Sequence, residues 1–424
     1  MARIGAFCFP GTGHLNPMTA LLRRLQQRGH SVVLFGIPDV EARVRAAGIE
    51  FCLIGQSDFP LGTLQQLDLR LSQLQGLPSF RFTLERICNT ARMVLRDGPE
   101  AARRAGIEAF LIDEADFGGN VADYLGLPRI SIAIIPPMVW DNRIPPYLFG
   151  WSADQRFPSR LRNELAMRFL GRVASPILTL VNQHRKAWGL EPQTEWSHAL
   201  STLAQVAQLP AALEFDIPMR DRHPVLHYTG PWVDAQQRPK IDFPWDQLDG
   251  RPLVYATLGT LQNGSEHIFR TIAAACADLP VQLVITLGGG LDSERLGTLA
   301  SDPIVVSYAP QLDLIKRSAV VITHAGINTA LESLAEGVPL VCTPIGNDQP
   351  GVAARVAARG AGLVVPMSKL STKRLHSAVR TVFENDSYRR AARQLQASIQ
   401  KLDGLGLAAD IIEDVLKIGP AARA

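Results

Sequence analysis

Val320-Val321-Ile322-Thr323-His324-Ala325-Gly326-Ile327-Asn328-Thr329-Ala330-Leu331-Glu332 is the stretch that decides how this chain folds. Four β-branched residues in a row, Val320–Thr323, suit a strand buried on both faces. Ala325 and Gly326 then let the backbone turn tightly. Gly326–Glu336 reads as a helix. A strand passing through a small-residue turn into a helix is half of a parallel crossover unit.

The same rhythm extends outward. Downstream come a strand at Pro339–Thr343, a helix at Pro350–Arg359, a strand at Gly362–Val365 and helices from Ser371 onward. Upstream lie strands Ile304–Val306, Val281–Thr286 and Leu253–Thr257, with a helix from Ser265. A polar stretch, Gln236-Gln237-Arg238-Pro239-Lys240, separates this unit from an earlier one. There, strands Ile4–Phe9, Ser31–Phe35, Glu50–Leu53, Ala109–Ile112 and Arg129–Ile134 alternate with helical stretches such as Pro17–Arg28 and Phe82–Ala105. Ile135–His227, rich in proline and aromatic residues, reads as irregular loops and helices forming a pocket wall. The fold class is α/β, with two doubly wound, Rossmann-like domains facing each other across a cleft. The expected division is 1–233, 234–405, and a terminal helix and tail at 406–424 that packs back on the first domain.

Length and composition fit this picture. At 424 residues the chain exceeds one ordinary core. With 43 basic and 40 acidic residues, the net charge of +3 argues against nucleic acid as a partner. Five cysteines lack any C-x-x-C spacing and read as buried thiols in a reducing compartment. The first apolar run is too short for a signal peptide, and no window reaches the ~18 apolar residues of a spanning helix. A cytoplasmic protein is expected, with peripheral membrane contact left open.

In open parallel sheets, ligands bind beyond the carboxyl ends of the strands. The turn at Ala325-Gly326 lies there. The free N–H groups of the following helix and its dipole favour a diphosphate, and His324 adds an imidazole donor. Asn328 and Glu332 are four residues apart on this helix, so Glu332 can accept ribose hydroxyls one turn deeper. Tyr308-Ala309-Pro310-Gln311 offers an aromatic plate and an amide for a base. Asp348-Gln349, in the loop after the next strand, suits sugar hydroxyls.

Read in order, Y-A-P-Q, T-H-A-G-I-N-T-A-L-E-S, G-V-P and N-D-Q-P-G over Tyr308–Gln349 closely resemble the donor signature of the UDP-glycosyltransferases, which have the GT-B fold. N-D-Q-P-G-V-A-A-R is most similar to the bacterial branch that includes zeaxanthin glucosyltransferases. The resemblance implies uracil on Tyr308, base contacts from Ala309 and Gln311, and diphosphate contacts from His324, Gly326, Asn328, Thr329 and Thr260. It further implies ribose on Glu332 and sugar hydroxyls on Asp348 and Gln349. Plant members carry Trp where Tyr308 stands, so the base platform is smaller here. Thr329 keeps the hydroxyl of the more common Ser.

His14, in Pro10-Gly11-Thr12-Gly13-His14 after the first strand, can serve as a general base toward an acceptor hydroxyl. It needs a carboxylate to orient and stabilise its imidazolium. Asp113 ends a neighbouring strand, and the family pattern sets its His–Asp dyad at these two positions. Asp116 is the alternative. Phe80, Phe117, Met138, Trp140, Tyr147 and Phe149 are candidates for the acceptor wall.

The expected activity is inverting, metal-independent transfer of a hexose, foremost glucose, from a UDP-sugar to a hydroxyl of a hydrophobic acceptor of carotenoid, flavonoid or polyketide type. No cofactor and no metal ligand set is expected. The competing readings are a nucleotide-sugar epimerase on the same fold and a non-catalytic binder of UDP-sugar or of an apolar ligand.

Overall fold

The computed structural model describes residues 1–74, 76–217, 223–234, 238, 240–260 and 264–418. The first sheet contains β1 (Arg3–Phe7), β2 (Ser31–Gly36), β3 (Glu50–Leu53), β4 (Ala109–Asp113), β5 (Arg129–Ala133), β6 (Gln205–Ala207) and β7 (Leu226–Tyr228). Its helices are α1 (Thr12–Gln27), α2 (Pro38–Ala46), α3 (Thr63–Gln73), α4 (Gly76–Ala105), α5 (Gly118–Leu125), α6 (Phe157–Val173) and α7 (Ser175–Ala187). The strand order is β3-β2-β1-β4-β5-β6-β7, and every pair is parallel.

The second sheet contains β8 (Leu253–Thr257), β9 (Gln282–Thr286), β10 (Ile304–Val306), β11 (Ser318–Thr323), β12 (Leu340–Cys342) and β13 (Gly362–Val364). It runs β10-β9-β8-β11-β12-β13, again wholly parallel. Around it lie α8 (Glu266–Cys276), α9 (Ser293–Leu296), α10 (Gln311–Arg317), α11 (Ile327–Ala335), α12 (Gln349–Ala358), α13 (Thr372–Glu384) and α14 (Asp386–Ile399). The last helix, α15 (Gly404–Leu416), returns to the first domain: Arg28 of the turn after α1 bonds Asp410 and Glu413, and buried His30 bonds Glu413 at 3.0 Å.

Helix α1 shows how these layers hold. Leu15, Met18, Leu21, Leu22 and Leu25 are buried on one face, and each such side chain contributes about 1.5–3 kcal/mol. Three apolar clusters result. One fills the first domain and another the outer part of the second. The third joins Ala133, Ala207 and Leu209 to Ala325, Ile327 and Leu331, so the two domains share a core beneath the cleft.

Two expectations change. Helix α1 begins at Thr12, five residues before Pro17, so His14 lies in its first turn and not in a preceding loop. The 135–227 stretch has its expected helices, and among the described residues it also carries two short parallel strands, β6 and most of β7. Strands as short as Gln205–Ala207 have too few residues to show a period.

Candidate active site

Each sheet reverses direction of growth once, between β1 and β4 and between β8 and β11. Such switch points open a crevice at the strands' carboxyl ends. His14 follows β1 and Asp113 ends β4; Thr260 follows β8 and His324 follows β11. All four candidates therefore come from topology, and the two crevices face each other.

His14 Nδ1 and Asp113 Oδ2 are 2.7 Å apart, and the carboxylate is fully buried. Asp113 also accepts from the Phe9 and Ala115 N–H groups, at 3.2 and 3.0 Å, which fixes its plane. Asp116 does not reach His14. It folds back on the turn before α5 instead, accepting from the N–H groups of Phe117 and Gly118 at 2.7 and 2.9 Å. Burial would lower the His14 pKa, but the Asp113 charge, its hydrogen bond and Asp348 across the cleft outweigh it, and the imidazole is raised above its ordinary value. Burial pushes Glu114 up to about 8 and Asp116 up to about 7. Burial thus favours the protonated form of Glu114, next in sequence to Asp113.

On the opposite wall, Gly326 is the N-cap of α11 and no side chain among the described residues caps it. The first-turn amides are therefore open to an anion. Ala325 and Asn347 take φ of +66° and +55°, left-handed values that cost most residues energy and that cluster here at two site loops. Gly259, at φ +72°, passes so near the His324 ring that a Cβ would lie 2.7 Å from it. Burial pushes the His324 pKa down to about 4, so this imidazole is neutral and can donate a hydrogen bond but carries no charge.

Glu332 is buried and its pKa is raised by burial. Gln311 Nε2 donates to it at 2.5 Å, while Tyr255 OH bonds Gln311 Oε1 at 3.3 Å. Its other oxygen pairs with Arg238 of the linker. Tyr308 is half exposed, an open plate, whereas Ala309 and Thr329 are buried. Asp348 is raised by burial and faces His14. Gln349 Oε1 accepts from Ile345 and Gly346, at 2.8 and 3.0 Å, and so shapes its own loop. Thr260 is exposed.

The Asn328 side chain reaches the facing domain: Nδ2 donates to the Gly13 carbonyl at 2.7 Å, and Oδ1 accepts from Gln208 at 3.1 Å. The reason lies four residues beyond Gly13. Pro17 sits inside α1 and has no N–H to return to that carbonyl. The orphaned acceptor, one residue before His14, is taken by the opposite domain.

The model of the "UDP-glucoronosyl and UDP-glucosyl transferase" family matches residues 144–416. The chain belongs to that family. It is 28% identical to a zeaxanthin glucosyltransferase of Pantoea ananas over 99% of this chain and 97% of the relative. It is 32% identical to a demethyllactenocin mycarosyltransferase of Streptomyces fradiae, covering 100% of this chain and 88% of the relative. The solved glycotransferase of kitacinnamycin superposes with a TM-score of 0.73 at 22% identity, covering 98% of both chains. The protein is a glycosyltransferase with the GT-B architecture.

In this transferase the proposed acceptor residues do not converge. Tyr147 stands near Asp348, Glu114 and Asp113, whose charges, after burial, raise its hydroxyl pKa. Its backbone meets the donor loop so closely that a Cβ on Gly351 would lie 2.7 Å from Tyr147 Cα. The Met138 N–H donates to Glu114 at 2.8 Å. Phe117 packs into the first domain's core, Trp140 is exposed, and Phe149 stacks on Trp151 at 4.2 Å along an outer groove. Phe80 lies on α4, and its side chain is outside the described residues. Sequence reasoning missed a narrow apolar pocket beside Cys8 and Pro10, walled by Phe59, Leu64, Leu67 and Met93. It also missed Glu114 and Arg238. Glu114 follows Asp113 directly, so its place at a strand end was there to be read; the Arg238–Glu332 pair spans 94 residues and left no local trace.

Proposed function

We propose that this transferase moves a hexose, glucose foremost, from a UDP-sugar to a hydroxyl of a hydrophobic small molecule, with inversion at the anomeric carbon. The observation that carries the reading is the His14–Asp113 pair, set directly across from the uncapped start of α11. His14 Nε2 takes the acceptor's proton as its oxygen attacks, and Asp113 stabilises the imidazolium. The sugar–phosphate bond breaks on the far side, and the leaving diphosphate is met by the α11 amides, neutral His324 and Thr260. Glu332 and Gln311 receive the ribose and base edge, Tyr308 the base face, and Asp348 with Gln349 the sugar hydroxyls. The diphosphate contact of Asn328 runs through its backbone N–H, since its side chain is held by Gly13. No metal is required by this arrangement, and turnover is expected to persist in chelator.

The Pantoea relative, a zeaxanthin glucosyltransferase, supports glucose as the sugar; the Streptomyces relative, a demethyllactenocin mycarosyltransferase, supports a natural-product acceptor. The test is UDP release with both substrates present, read by mass spectrometry of the product. His14→Ala should lower turnover by roughly 10²–10⁴-fold while UDP affinity stays within about twofold. Full activity in that variant removes His14 as the base.

A further inference from the structure

Helix α6 is inside out. It buries Asn163 and Ala166, and it exposes Phe157, Leu161, Leu165 and Phe169, at 76, 45, 57 and 60% of their surface. These four recur every fourth residue and so sweep an arc of about 120° on one side of the helix. Isolated exposed apolar residues are ordinary, but a contiguous stripe of this length marks a surface that meets something. Behind the stripe opens a shallow groove of about 560 Å³, lined by Phe149, Trp151, Pro158, Arg162 and Ala166 as well. Phe149 and Trp151 continue the segment that carries Tyr147 to the cleft.

Charge identifies the occupant. The helix carries Arg160, Arg162, Arg168 and Arg172 against a single acid, Glu164, which pairs with Arg168 at 3.0 Å, while the preceding Arg156 pairs with Asp154. Arg168 and Arg172 fall within the same arc as the apolar stripe. Apolar side chains rimmed by arginines on one face, with no length of helix able to span a bilayer among the described residues, are the features of a helix lying in a lipid interface. A second copy of the chain fits less well, because a twofold contact would set these arginines against their own equivalents.

We propose that the outer face of α6 docks on a membrane surface containing anionic lipids, with the Phe149–Trp151 groove turned toward the bilayer. The stripe enters the acyl boundary and the arginines meet the headgroup phosphates. Docking brings the groove beside the cleft to the phase in which an apolar acceptor dissolves. That last link alone rests on the proposed function; lipid binding is measured without turnover.

The test is co-flotation of the full chain with vesicles of phosphatidylcholine and phosphatidylglycerol in equal parts, and with phosphatidylcholine alone. Binding should be about tenfold stronger to the anionic vesicles, and the excess should vanish in high salt. The double variant Leu165→Ser, Phe169→Ser should lose roughly tenfold or more in vesicle binding, and Phe157→Ser a smaller part, with unaltered melting temperatures because these side chains are exposed. Arg168→Gln with Arg172→Gln should abolish the anionic preference. The proposal fails if the unaltered chain ignores both vesicle types, or if the double variant binds as well as the parent. It fails equally if light scattering shows a dimer that the double variant splits, which would assign the stripe to a second copy.

Discussion

At the residue scale the pairing of His14 with Asp113 fixes the sign of the pH dependence. The folded pKa of His14 lies above its ordinary value of 6.5. The pairing therefore adds stability that is complete below pH 6.5 and is lost as the pH climbs through the folded value. In the proposed role of base His14 needs its neutral ring, so activity is expected to run the other way and decline as the pH falls through that same value. Asp113→Asn separates the two contributions. Without the carboxylate charge, burial dominates and the imidazole pKa drops, so the acid limb of kcat/KM should move to lower pH. Turnover itself should fall by about 10²–10⁴-fold, because the imidazolium loses its partner. A pH–rate profile reads both at once, and an acid limb that stays where it was would disconnect Asp113 from the base.

At the scale of elements, α1 and α11 meet through an absence. Pro17 deprives the Gly13 carbonyl of its helical donor, and Asn328 supplies one at 2.7 Å from the facing domain. Pro17→Ala restores a competing N–H and a better helix former, worth about 1–3 kcal/mol within a helix. The variant should melt higher and yet turn over roughly three- to tenfold more slowly, since the first turn carrying His14 loses its tie to the donor helix. A raised melting point with unchanged kcat would make the tie irrelevant to chemistry. This element also shows what the sequence can disclose. The β11–α11 unit was legible because its signals are local: β-branched run, small-residue turn, helical spacing. Asp113 was legible because a strand's last residue must face the crevice. The start of α1 was misread at Pro17, where local rules expect proline at a helix's first turn, whereas the seam tolerates it deeper. Helix face and family pattern gave no sign that the Asn328 side chain meets Gly13, since that contact depends on how two domains approach. The walls of the pocket at Phe59, Leu64 and Met93 depend likewise on tertiary packing, which no window along the chain records.

At the scale of the whole molecule, Arg238, from the stretch between the two sheets, reaches the candidate site of the second domain. Arg238 pairs with buried Glu332, and its positive charge, after burial, lowers the pKa of Arg43 on α2, which also donates to Thr12 at 2.6 Å. One guanidinium thus touches the carboxylate of the second domain while repelling a cation of the first. On the proposed placement of the ribose at Glu332, the sugar competes for the oxygen that Arg238 holds, and donor binding is expected to displace Arg238. Removing the side chain should leave Glu332 buried with Gln311 as its remaining partner, which raises the energy of the empty site and not of the occupied one. Arg238→Ala is therefore expected to bind UDP about three- to tenfold more tightly, ~0.7–1.4 kcal/mol, with a lower melting point in the absence of nucleotide. Titration calorimetry measures the affinity and thermal unfolding the cost. Weaker binding in the variant would mean that Arg238, once released, closes onto the diphosphate, making the linker a clamp for the donor where the pairing with Glu332 makes it a latch on the empty site.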